Sequence, residues 1–163
     1  MTLYLKNKII SFGGGSSVTD EDGKEIYNIK GKVFSLRKKK SILTPSGDLV
    51  YRVQNKLFNF FAHTAYIFDK DGNRIASVST RPFNFKKDFI VRGLDESIII
   101  SGSFLSLSMD VCKENEVIGT ISREINFITD AFKVSADEEN MNLVLAFALA
   151  IDNIIDNARS QRR

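Results

Sequence analysis

Apolar and polar residues alternate with period two through most of the first 125 positions, the signature of half-buried strands. Three stretches repeat one phrase: TDEDGKEIYNI at 19–29, LTPSGDLVYRV at 43–53 and FDKDGNRIASV at 68–78. Each sets a Gly turn (Gly23, Gly47, Gly72) before an alternating run, and the glycines fall 24 and 25 residues apart. Asp22-Gly23 and Asp71-Gly72 are hairpin dipeptides, because Asp and Gly tolerate the positive φ that such turns need. The pattern predicts a meander of hairpins with strands at Ile9–Phe12, Ser16–Thr19, Glu25–Ile29, Val33–Lys39, Ser41–Thr44, Leu49–Asn55 and His63–Phe68. It continues with Arg74–Thr80, Lys87–Arg92, Ser97–Gly102, Leu105–Cys112, Val117–Glu124 and Ala131–Val134. Pro45 and Pro82 both fall at expected turns, where a missing N–H does little harm. No strand–helix–strand alternation argues for a parallel sheet.

The C-terminal part reads differently. Ser135 to Glu138 has the S-x-x-E form of a helix capping box, and Asp137, Glu138 and Glu139 suit the positive end of a helix dipole. From Leu143 to Ile151 nine consecutive residues are apolar, so a helix there has no polar face and must be surrounded on every side. The run is about half of what a bilayer span requires, which leaves protein as its surroundings. Size points to one solution. About twelve strands spaced ~4.8 Å apart and tilted ~40° close into a barrel roughly 24 Å across. Lining side chains leave a channel on the order of 12–14 Å, and a helix with its side chains is about 10–12 Å wide. The expected fold is mainly β: a closed antiparallel barrel of about twelve strands, residues 9–134, enclosing a C-terminal hydrophobic helix at 136–158, all in one domain.

Composition narrows the class without naming an activity. At 163 residues, 43% hydrophobic and 26% charged, the chain is a single globular unit that needs no metal or disulfide staple. The one cysteine, Cys112, excludes an internal disulfide framework. It reads as a small buried hydrophobe. Residues 1–92 hold 17 Lys/Arg against 8 Asp/Glu, a balance of +9, and residues 93–163 hold 6 against 12, a balance of −6. A first half this basic suits phosphate-bearing partners; the plainer explanation is a solvated face with lysines guarding sheet edges.

Four segments resemble the LURP-one-related family of the tubby C-terminal-like superfamily. They are VTDEDGKEIYNIKGKVFSL at 18–36, the D-x-D-G-x-x-I-A-S-V unit from Asp69, IIISGSF at 98–104 and LAFALAID at 145–152. The likeness runs over about residues 9–156. It implies a twelve-stranded barrel around a hydrophobic helix, in agreement with the size argument. The superfamily includes phosphoinositide-binding tubby proteins and phospholipid scramblases. The Pro-rich and Cys-rich segments of scramblases are not in this sequence, so scrambling is not expected.

Candidate chemistry is sparse. Arg37, Lys38, Lys39 and Lys40 form the strongest basic run; on a strand, Arg37 and Lys39 would share one side and Lys38 and Lys40 the other. With Lys56, Lys86 and Lys87 on loops, they are the expected rim for anionic phospholipid headgroups. Phe58, Phe60, Phe61, Phe83 and Phe85 adjoin those lysines. Period-two spacing favours core packing for them over an aromatic-and-basic membrane anchor. Asp20-x-Asp22-Gly23 and Asp69-x-Asp71-Gly72 lack the further ligands of a calcium loop. Gly13-Gly14-Gly15 has no Lys-Ser/Thr after it and is no phosphate loop. His63 is the sole histidine, so there is no His-based zinc cluster, and Asp152 reads as the polar end of the buried helix, bonded at the barrel mouth. A filled barrel leaves no ordinary substrate pocket. The expectation is a non-enzymatic surface-binding protein with no cofactor or metal and no transmembrane segment. It would be cytoplasmic and peripheral at an anionic phospholipid membrane, with nucleic acid not expected. A protein–protein adaptor is the alternative.

Overall fold

A computed structural model of the chain describes residues 1–6, 15–31, 37–58, 62–80, 89–102, 108–125 and 130–160. Twelve strands run β1 (Thr2–Lys6), β2 (Gly15–Thr19), β3 (Glu25–Gly31), β4 (Lys40–Leu43), β5 (Leu49–Asn55) and β6 (Thr64–Phe68). They continue as β7 (Arg74–Thr80), β8 (Phe89–Arg92), β9 (Ile98–Ser101), β10 (Ser108–Lys113), β11 (Glu116–Ile125) and β12 (Asp130–Ala136), followed by α1 (Glu138–Ser160). Every strand pairs antiparallel with its sequence neighbour, and β1 closes the barrel by pairing with both β2 and β12. The expected strand at Ile9–Phe12 lies outside the described residues.

The repeated phrase in the sequence becomes a repeated turn. The Gly23 N–H donates to the Asp20 carbonyl at 3.1 Å, the Gly47 N–H to Thr44 at 2.9 Å, and the Gly72 N–H to Asp69 at 3.2 Å. All three glycines have φ between +80° and +97°, a region where a Cβ would be strained. The register shifts by one residue just before each loop, at Val18/Thr19, Ile42/Leu43 and Ile67/Phe68. This is the bulge that accompanies a glycine in the left-handed region. The aspartates are turn residues: Asp20 Oδ1 accepts from the Asp22 and Lys24 N–H groups, and Asp69 Oδ1 from the Asn73 N–H.

Two boundaries differ from expectation. The barrel begins at Thr2, not near residue 9. Leu3 and Leu5 alternate with Tyr4 and are fully buried, opposite Val134 and Phe132 of β12. The capping box is displaced as well. Ser135 lies within β12, where its hydroxyl meets the Thr2 hydroxyl at 3.2 Å. The first helical turn instead forms after Asp137, whose carbonyl accepts from the Asn140 N–H. Pairing with β1 and β11 claims Ser135 for the sheet before the helix can use it.

Inward residues of the wall, among them Val18, Ile29, Ile42, Val53, Ile67, Val78, Ile100, Met109 and Ile121, enclose the helix. Along α1, Val144 to Ile155 are all buried, so burial runs four residues beyond the apolar stretch through Asp152 and Asn153. By length and mean hydropathy alone, Glu138–Ala158 would suffice to cross a membrane. Here the barrel supplies the apolar surroundings. The helix comes close to β11 at Gly119. A Cβ on Gly119 would stand 2.9 Å from Val144 Cγ2 and 3.0 Å from the Ser135 carbonyl oxygen.

Candidate functional site

The barrel end near the C-terminal half of α1 is where the basic run lies, and the helix itself claims most of it. Residues 37–39 are not a strand: Arg37 is in a turn and Lys38 has φ 45°, so the expected alternation of faces does not hold. Lys40 begins β4, and its Nζ meets Asp152 Oδ2 at 2.5 Å, with the two side chains 21% and 6% exposed. Asp152 is thus the polar end of the buried helix, held at the barrel mouth. Next to it, Asn153 Nδ2 donates to the Lys38 carbonyl at 2.8 Å, and Asn55 Nδ2 donates to the Asn153 carbonyl at 3.1 Å. The Asn55 N–H donates to the Arg37 carbonyl at 2.7 Å. Burial lowers the pKa of Lys38; Asp156 opposes that, Lys40 adds to it and Asp152 opposes it.

Of the seven basic residues singled out from sequence, Lys40 is therefore a structural partner of the helix and no open anion ligand. Lys38 and Lys39 are half-buried, and Arg37 and Lys56 are exposed. Lys86 and Lys87 lie outside the described residues. Phe58, expected in the core, is 66% exposed. It follows Lys56 and Leu57 out of β5, past the last ladder position, so the period-two argument no longer applies to it. Phe60, Phe61, Phe83 and Phe85 lie outside the described residues. Cys112 is half-buried on the outer face of β10. The His63 N–H donates to Thr80 Oγ1 at 3.0 Å, a structural contact. Among the described residues no group of three His, Cys, Asp or Glu could hold a metal ion.

A different constellation stands on the outer wall. A groove of about 470 Å³ is lined by Lys56, Thr64, Tyr66, Arg74, Ser77, Ser79 and Arg92, with Ala76 and Gly93 beneath. Period two and register assemble it. Outward residues of β5 to β8 align across the strands as Gln54, Tyr66, Ser77 and Arg92. The neighbouring row sets Thr64 beside Ser79, with their hydroxyls 3.1 Å apart. Arg74 lies over the Tyr66 ring at 4.9 Å, which orients the guanidinium. Lys56 enters at the barrel end because its N–H donates to the Thr64 carbonyl. Three cations, three aliphatic hydroxyls and a phenol thus line one groove, and among the described residues no carboxylate does. Guanidinium groups beside short hydroxyl donors have the chemistry that pairs with phosphate oxygens. Local motif reasoning found only Lys56. The other polar residues come from three strands, β6 to β8, and share only outward parity.

Fold and groove together define a class: a helix-filled antiparallel barrel that presents a basic groove on its wall. The LURP-one-related family model matches residues 1–152, and the chain belongs to that family. Its tubby-like architecture is shared by a crystal structure of a protein from Arabidopsis thaliana. That match has a TM-score of 0.58 and 18% sequence identity, covering 97% of this chain and 91% of that one. No curated protein matches the chain.

Proposed function

We propose that the chain is a non-enzymatic binding protein that takes the headgroups of anionic phospholipids in the groove lined by Lys56, Arg74 and Arg92. One observation carries this: three cationic side chains and the hydroxyls of Thr64, Ser77 and Ser79 line one groove, with no carboxylate among its described lining residues. A neutral ligand would not require three cations, and an acidic one is attracted by all three. The binding reading is favoured over catalysis because the interior is occupied by α1 and, among the described residues, no His, Cys, Asp or Glu lines the groove as a general base. Membrane association would be peripheral and cytoplasmic.

Co-sedimentation with vesicles containing phosphatidylglycerol or a phosphoinositide tests it directly. Binding at low salt that fades over a NaCl series is the expected result; no binding at low salt removes the proposal. The adaptor reading has one observation of its own. Ile90, Ile99, Cys112 and Val117 align outward across four strands, and Ile99 and Val117 are 40% and 54% exposed. Charge in the groove favours the lipid reading.

A further inference from the structure

We infer that Leu57 and Phe58 form an apolar foot that inserts into the bilayer while the groove beside it receives a headgroup, so that the barrel stands on the membrane by the β5–β6 end. The inference rests on the proposed function and adds the docking geometry. Lys56, Leu57 and Phe58 are consecutive, and all three side chains are exposed, Leu57 at 44% and Phe58 at 66%. Lys56 lines the groove, so the foot and the receptor share a boundary. The hydrogen bond from the Asn55 N–H to the Arg37 carbonyl sets a second exposed cation at the same end. Apolar side chains flanked by basic ones match the layered chemistry of an anionic membrane surface, where acyl chains lie under phosphates. From Thr64 to Tyr66 is two strand residues, about 7 Å. Ser77 and Arg92, in register with Tyr66, therefore stand at the height a headgroup reaches when the foot is in the interface. Exposed apolar side chains next to a groove with three cations fit a bilayer, which offers acyl chains and phosphates side by side.

The protein has no tryptophan, so Phe58→Trp supplies a lone reporter at an exposed position. With vesicles of phosphatidylcholine and phosphatidylglycerol, its emission should shift to the blue and be quenched by shallow brominated lipids. The double variant Leu57→Ser/Phe58→Ser should lose about tenfold in vesicle affinity, the scale expected when two partly buried apolar side chains are removed. It should keep the parent's affinity for dibutanoyl phosphatidylglycerol, which stays monomeric and reports on the groove alone. Co-sedimentation without any blue shift, or a double variant that binds vesicles like the parent, would overturn the foot and leave the groove standing. Failure of the parent to bind either vesicles or the monomeric lipid would overturn both.

Discussion

Lys40 and Asp152, 112 residues apart, form the ion pair that fastens the far end of the central helix to the barrel mouth. It is the point where an otherwise apolar rod becomes polar while still buried. The carboxylate is almost wholly removed from water, so its neutraliser matters more than the distance suggests.

Removing one partner should therefore cost more than removing both. Lys40→Met takes the nearest cation from the buried Asp152 carboxylate, and a loss of about 2–4 kcal/mol is expected, below the usual cost because the lysine retains some solvent. Lys40→Met/Asp152→Leu should recover most of that loss. Urea unfolding of the four proteins of this cycle reads the coupling directly. Equal stabilities of the single and double variants would contradict it.

The close approach of the helix to Gly119 gives a second test. Gly119→Ala forces a methyl against Val144 and the Ser135 carbonyl, which should cost about 1–3 kcal/mol by overpacking. Adding Val144→Ala removes the side-chain obstacle and leaves the backbone one. Partial recovery of Tm is the expected outcome, and a double variant worse than the sum of the singles would speak against a helix seated inside.

Alkaline pH should loosen the other end of the helix. The Tyr27 hydroxyl donates to Asn142 Oδ1 at 2.5 Å. Burial, and then the charge of Glu138, push its pKa above the usual 10.0. A raised phenol pKa contributes stability that is complete below pH 10.0 and lost as pH rises through the folded value. Tyr51 shifts the same way, through burial and then Asp69. Lys38, lowered chiefly by burial, works oppositely, gaining stability with pH up to its usual 10.5. Tyr27→Phe isolates the first contribution. Its stability deficit against the parent, measured by urea unfolding, should shrink between pH 8 and pH 11; a constant deficit would contradict the shift.

Much of the fold was legible and most of the groove was not, for one physical reason. Hairpins are local: Asp20 to Gly23 and Asp69 to Gly72 carry their turn chemistry within five residues. The helix was legible because Leu143 to Ile151 offers no face to water. Closure was harder, since β1 is five residues whose partner β12 lies at the opposite end of the chain. Thr2 to Lys6 alternates too briefly to announce itself. The surroundings of Lys40 were hidden for the same reason: nothing near Arg37 to Lys40 in the sequence shows that Lys40 turns inward to a carboxylate more than a hundred residues away. The groove depends on register among β5, β6, β7 and β8, and Arg74 and Arg92 look like ordinary surface residues until Tyr66 and Ser77 are set between them.

The most direct test reverses charge at the groove and at the basic run separately. In low-salt co-sedimentation with phosphatidylglycerol vesicles, Lys56→Glu/Arg74→Glu/Arg92→Glu should abolish binding, each reversal removing about 1 kcal/mol or more of attraction. Lys38→Glu/Lys39→Glu should retain most of it. Binding that survives the triple reversal, or vanishes only with the Lys38 and Lys39 pair, would contradict the assignment of the wall groove as the ligand site.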